Sequence, residues 1–167
     1  MKKYEFTKET INVFGKTLHR IRAARDFSNV RAGDFGGFIE SESNLSHDDD
    51  AWVYGNAQVY GNAQVYDDAQ VSGDAQVYGN AQVSGDARVC ESRDIYWISC
   101  IGSRDGTTTF FRNANNSISV SCGCFYGTID EFAAAVTKTH GDNEHAQAYR
   151  HAIEIAKLRI KLEDAES

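Results

Sequence analysis

Between Ala51 and Val89 the chain returns every six residues to one phrase: an alanine, a variable residue, a valine, a further variable residue and a turn dipeptide. Valine stands at 53, 59, 65, 71, 77, 83 and 89, and alanine two residues before each, at 51, 57, 63, 69, 75, 81 and 87. A period of six does not follow a helix face, whereas residues i and i+2 of a strand point to the same side. Each Ala-x-Val pair therefore aims one small and one branched side chain inward. Valine favours strands, and alanine leaves room in a crowded interior. The dipeptides are Gly-Asn, Gly-Asp and, once, Asp67-Asp68. Glycine adopts positive φ without a side-chain clash, and Asn or Asp hydrogen-bonds its local backbone. Each hexapeptide thus predicts a short strand and a corner. Hairpins would need arms longer than four residues to bury a face, so corners of the same sense coil the chain instead.

The stretch resembles the hexapeptide-repeat left-handed β-helix family, in which an aliphatic residue begins each repeat and a small residue lies two positions before it. The resemblance implies a left-handed parallel β-helix of three hexapeptides per turn, with residues 18 apart stacked about 4.8 Å apart on adjacent coils. It pairs Tyr60 with Tyr78, Asn62 with Asn80, Asp68 with Asp86 and Gln58 with Gln76. Upstream, Ile39 and Leu45 continue the pattern, with Gly37 and Ser43 two residues before them; the step of eight from Leu45 to Val53 fits a two-residue bulge within Ser46 to Asp50. About three coils result. Both ends of so short a solenoid need covers.

The flanks supply candidates. Residues 1–34 are expected as an N-terminal β cap, with a hairpin around Phe14-Gly15-Lys16 inside Ile11 to Ala23. Residues 35–92 are the β-helix. The entry from Arg31 to Ala57, RAGDFGGFIESESNLSHDDDAWVYGNA, is similar to that of a group of bacterial and phage hexapeptide-repeat proteins. Residues 93–167 predict a small α+β domain in the order βββαα: strands at 94–101, 107–112 and 117–125, then a helix opened by the capping box Thr128-Ile129-Asp130-Glu131 and stopped at Gly141, then a last helix capped by Asp142. Tyr149, Ile153, Ala156 and Ile160 form its apolar stripe, for core packing or for oligomerisation.

Charge divides sharply along the chain. Residues 1–35 carry eight Lys/Arg against four Asp/Glu, residues 36–92 one against ten, and residues 93–167 eight against ten. An anionic middle repels nucleic acid and suits basic partners, or equally serves only to keep a repeat array soluble. The start, Met1-Lys2-Lys3-Tyr4-Glu5-Phe6, lacks the apolar stretch of an export signal, so a cytoplasmic location is expected, with no membrane span and with Cys90, Cys100, Cys122 and Cys124 as reduced thiols.

Chemistry is sparsely represented. The family resemblance brings acyl transfer into question, since such enzymes generally use a histidine base beside an acyl-donor groove. No regular repeat contains histidine, and His47, beside Asp48-Asp49-Asp50, is the candidate in the solenoid segment. Cys122, Cys124, His140 and His145 have zinc-ligand types, with Cys122 and Cys124 on one strand face, yet they read better as buried thiols and helix-end histidines. No catalytic residue, metal or cofactor is therefore assigned. The reading is a non-catalytic protein-interaction module, forming homo-oligomers, in the manner of a phage-encoded inhibitor of a host or defence protein. Its contact surface is expected on outward Trp52, Tyr54, Tyr60, Tyr66 and Tyr78 and on the corner carboxylates Asp67, Asp68, Asp74 and Asp86, because tyrosine gives large contact area at low entropic cost; the equal alternative is that the tyrosines only stabilise neighbouring strands through cross-strand contacts. The alternatives are an acyltransferase-like enzyme and nucleic-acid binding through Lys16, Arg20, Arg22, Arg25 and Arg31, although arginines near the solenoid's acidic end read better as neutralising it.

Overall fold

A computed structural model describes residues 2–163. The described chain is mainly β and divides into two compact units, the first ending at Ser92 and the second beginning at Arg93. In the first, β1 (Tyr4–Val13) and β2 (Lys16–Ala23) make an antiparallel hairpin, and β3 (Phe35–Ile39) pairs antiparallel with β2. The hairpin is longer than the predicted one, since its first strand begins at Tyr4 rather than Ile11.

The repeats then form two-residue strands: β4 (Trp52–Val53), β5 (Gln58–Val59), β6 (Gln64–Val65), β7 (Gln70–Val71), β8 (Gln76–Val77), β9 (Gln82–Val83) and β10 (Arg88–Val89). They pair in parallel, in three columns: β3-β5-β8, β4-β7-β10 and β6-β9, with Leu45 bridged to Val65 below the third. Val53 lies opposite Val71 and Val59 opposite Val77, which is the 18-residue register of a coil. Ile39 lies opposite Val59 and Leu45 opposite Val65, each 20 residues on. The two extra residues of the first coil therefore fall between Leu45 and Val53. Every alanine and valine of the seven repeats is at most 1% exposed, and each buried valine contributes about 1.5–3 kcal/mol.

Polar side chains close the places where the repeat is imperfect. Ser43, expected inward, is exposed, because Glu42–Asn44 form a 3-10 turn that brings Asn44 into the interior instead. Its amide donates to the carbonyls of Gly61 (3.2 Å) and Ala63 (2.8 Å), and its Oδ1 accepts from Ser41 N–H (2.9 Å). One corner column is an aspartate ladder: Asp49 Oδ2 accepts Asp67 N–H (2.6 Å) and Asp67 Oδ2 accepts Gly85 N–H (3.0 Å).

The second unit holds a four-stranded antiparallel sheet, β11 (Ile95–Ile101), β12 (Gly106–Arg112), β13 (Ile118–Cys122) and β14 (Phe125–Thr128), followed by α1 (Ile129–His140) and α2 (Glu144–Arg159). The expected order βββαα is corrected to ββββαα. Gly123, at φ +58°, turns the predicted third strand back on itself, and Cys122 pairs with Phe125. The Thr128 capping box forms as expected. Asn143, not Asp142, caps α2 by accepting Ala146 N–H (3.0 Å), while Asp142 pairs with Arg150. Tyr149, Ile153, Ala156 and Ile160 are all buried in this unit's core with Phe110 and Phe132, so the stripe packs the core. No helix among the described residues is long and apolar enough to cross a membrane.

The corners permit a controlled test. Gly55 and Gly73 share a φ of +59°, but a Cβ at Gly55 meets open space whereas one at Gly73 collides with the Cys90 carbonyl oxygen. Gly55→Ala should therefore lose about 1 kcal/mol for the left-handed backbone alone, and Gly73→Ala clearly more. Urea unfolding of both variants measures the difference; equal losses would show that the coils do not approach at Gly73.

Candidate functional site

The first coil carries a dense polar cluster built by chain segments about forty residues apart. Lys3 is fully buried, and its ammonium donates to the carbonyls of Ala51 (2.6 Å) and Asp49 (2.9 Å), lies 3.6 Å from the Asp49 carboxylate and sits 5.0 Å from the centre of the Phe27 ring. Burial lowers its pKa to about 8, against the opposing pull of Asp49. Tyr4 donates its hydroxyl to Leu45 O (2.7 Å) and stacks on His47 with ring centres 4.0 Å apart. Burial raises the Tyr4 phenol well above its ordinary value, and Glu42 adds to the rise.

His47 is held at both ring nitrogens. Lys3 N–H donates to Nδ1 (3.1 Å), so the neutral ring carries its proton on Nε2, which faces Glu42 Oε1 at 3.0 Å. Lys2 first, and then His47, hold the Glu42 carboxyl below its usual range. A general base must have a nitrogen free to take a proton. For His47 to act as one, a contact that fastens the first coil would have to break. Its geometry is that of a structural residue. Beside it lies a shallow groove of about 510 Å³, lined by Glu42, Ser46, His47, Asp48, Gln64 and Tyr66 among others.

The expected contact residues separate into two groups. Trp52 points away from the coil interior, yet it is only 1% exposed, because Tyr4 and Phe27 pack edge-on against it with ring centres 6.2 and 5.1 Å away. Tyr60 is likewise covered, at 5% exposure, by Leu18 and Phe38, and it stacks on Tyr78 with ring centres 5.2 Å apart. The sequence expectation that these two rings are free contact residues is thus corrected: the N-terminal segments cover them. Tyr54 and Tyr66 are half-buried and Tyr78 is exposed. Nor do the tyrosines share one face, since Tyr54, Tyr60 and Tyr66 follow strands of three different columns. Asp67 is engaged in the corner ladder, while Asp68 and Asp74 are exposed and Asp86 half-buried.

The cations considered for nucleic acid, Lys16, Arg20, Arg22, Arg25 and Arg31, each have a partner in the fold. Arg20 donates to Gly36 O (2.7 Å), Gly55 O (3.1 Å) and Asn56 Oδ1 (3.0 Å), pairs with Glu9 and lies 4.3 Å from the centre of the Phe38 ring. Arg22 pairs with Glu5, Arg25 donates to His47 O, Arg31 faces Asp26 and Lys16 faces Glu40. These cations join the hairpin to the first coil or face neighbouring carboxylates. In the second unit, Cys122 ends β13 while Cys124 lies in the following turn, exposed, so the expectation that they share one strand face is corrected. Among the described residues no three His, Cys, Asp or Glu side chains gather as a metal-ligand set.

A family model described as the YdcK Beta solenoid repeat matches residues 57–73 and, overlapping, 63–79. The two windows start one hexapeptide apart, and both lie inside the parallel columns. The match supports a β-solenoid repeat for this segment. No curated protein matches the chain. Neither Lys3 nor Tyr4 is legible as a site residue in the sequence, since nothing local to Lys2-Lys3-Tyr4 distinguishes a buried lysine from an exposed one.

The buried ammonium makes a pH prediction. With Lys3 lowered to about 8 in the fold and near 10.4 in the unfolded chain, the unfolded state binds more protons between those values, so stability rises with pH there. In a Trp97→Phe background, where Trp52 reports on the first unit, urea unfolding at pH 7.5 and pH 10 should show wild type gaining about 2–3 kcal/mol relative to Lys3→Met. No relative gain would mean that Lys3 does not titrate inside the fold.

Proposed function

We propose that this chain is a non-catalytic protein-interaction module, a left-handed β-helix capped by its N-terminal hairpin, whose exterior binds a partner bearing a basic surface. The observation that carries the reading is the division of labour among the polar residues. Asn44, Asp49, Asp67 and Arg20 serve backbone atoms, and His47 is fixed at both ring nitrogens. The exposed carboxylates of Asp68 and Asp74, the exposed ring of Tyr78 and the half-buried Tyr54 and Tyr66 are then the chemistry offered outward. Residues 36–92 carry ten carboxylates against Arg88 alone, and Arg88 donates to the carbonyls of Asp68 and Ala87. Regular anionic corners beside aromatic rings suit an Arg- or Lys-rich surface through charge steering and contact area. The likeness of the entry segment to phage proteins makes an inhibitor occupying a host protein's basic surface the fitting form of this role. Self-association along the strand faces and a cytoplasmic setting belong to the same proposal.

Tagged full chain and a variant carrying Tyr54→Ser, Tyr66→Ser, Tyr78→Ser, Asp68→Asn and Asp74→Asn should be compared in quantitative capture from host lysate. The expected result is a basic partner bound by wild type, released by raised salt and bound at least about tenfold more weakly by the variant. Equal capture by both, or acyl-CoA binding in calorimetry, would overturn the reading. Light scattering should give more than one copy per particle; a monomer at all concentrations contradicts the self-association.

A further inference from the structure

The second unit contains a pocket of about 240 Å³ whose wall includes Cys122, Phe125, Phe132, Val136, His140 and Tyr149. Its lining is aromatic and aliphatic on one side, with Phe132 edge-on to Tyr149 (ring centres 5.4 Å apart, 90°) and tilted against Phe125 (5.3 Å). Beside it four polar side chains come together, Thr108, Cys122, Tyr149 and His140. The hydroxyl of fully buried Thr108 donates to Cys122 Sγ at 3.1 Å, the Tyr149 hydroxyl lies 3.9 Å from the same sulfur, and the His140 ring stacks on Tyr149 with centres 5.8 Å apart. Gly102, at φ +83°, makes the arrangement possible, because a Cβ there would fall on the Tyr149 hydroxyl.

We propose that this pocket binds a small, single-ring α,β-unsaturated carbonyl compound and that Cys122 captures it by conjugate addition. The size fits, since a cavity of about 150 Å³ already holds benzene, and the additional volume admits a short conjugated tail. Apart from His140 and the thiol and phenol, the lining is uncharged, so the occupant is neutral and apolar at one end. Its carbonyl oxygen accepts from Tyr149, whose phenol is pushed up to about 12 by burial and by Cys122, and which therefore stays protonated as a donor. The Thr108 hydroxyl, which donates to the sulfur, favours the thiolate, the form that reacts, and leaves the Tyr149 proton for the carbonyl. The sulfur forms a bond to the β-carbon, the π pair of the C=C moves into an enolate held by Tyr149, and the proton given up by the thiol ends on the α-carbon. His140, in the same wall, is placed to carry that proton. Atoms and electrons balance without an oxidant.

The other three cysteines, Cys90, Cys100 and Cys124, are exposed and serve as internal controls. Full-length protein is treated with 4-phenylbut-3-en-2-one, and adducts are quantified at each cysteine by peptide mapping; iodoacetamide reports reactivity at exposed thiols. The expected result is addition to Cys122 about tenfold faster than to Cys124, saturating with reagent concentration, whereas iodoacetamide favours Cys124. Tyr149→Phe should slow addition at Cys122 about tenfold and leave Cys124 unchanged. Ala135→Trp, which fills the pocket from a half-buried wall position, should abolish the preference in protein whose far-UV circular dichroism matches wild type. Modification of Cys122 no faster than Cys124, or a rate that rises linearly without saturation in wild type, overturns the proposal whatever the variants do.

Discussion

Parallel backbone hydrogen bonds between successive coils are the interaction on which the first unit depends. Gln58 and Tyr60 donate to the carbonyls of Ala75 and Val77, both at 3.0 Å, and Gln64 and Tyr66 donate in the same way to Ala81 and Val83. Strands of two residues cannot supply a stable sheet by length. They become stable because each is stacked on one in the next coil, and because the Ala-x-Val phrase keeps the same two side chains inward at every level. Register and core are thus one constraint. A residue inserted anywhere but a corner would turn valine outward, and the first coil places its two extra residues outside the strands, between Leu45 and Val53.

Much of the polar chemistry follows from that ladder. A coil end leaves backbone groups without strand partners, and a buried unpaired N–H or C=O is costly. Asn44 satisfies the carbonyls of Gly61 and Ala63, Lys3 those of Asp49 and Ala51, and Arg20 those of Gly36 and Gly55. The Asp49 and Asp67 carboxylates take corner N–H groups in the coils that follow. Residue types that elsewhere perform catalysis here fasten the backbone, and His47 between Lys3 and Glu42 is the clearest instance. Outside these contacts, the exposed carboxylates of Asp68 and Asp74 and the exposed ring of Tyr78 remain on the exterior of the coils.

The repeat made the three columns and the stacking of Tyr60 on Tyr78 legible in advance, because a strand's alternation is local and an 18-residue register follows from six-residue corners. Outward parity did not reveal exposure. Trp52 and Tyr60 do point away from the coil, but Tyr4, Phe27, Leu18 and Phe38 cover them from segments distant in sequence. The substitution of Asn44 for Ser43 was hidden for a related reason: a 3-10 turn breaks the alternation that assigns inward positions. In the second unit the capping box at Thr128 was readable from four residues. The break at Gly123 was not, since Ser-Cys-Gly-Cys-Phe suits either a continuing strand or a tight hairpin until the partner strands are known. The meeting of Cys122 with Tyr149 depends on the sheet and α2 coming together, and no spacing along the chain encodes it.

The coil register can be measured directly by spin labels on Gln64→Cys and Gln82→Cys with the four native cysteines replaced by serine. These positions lie opposite one another on β6 and β9. With adjacent parallel strands about 4.8 Å apart, the doubly labelled chain should give a strongly broadened continuous-wave spectrum, as expected for labels within roughly 10 Å on neighbouring strands. Sharp, non-interacting spectra would contradict the solenoid and, with it, the surface proposed for binding.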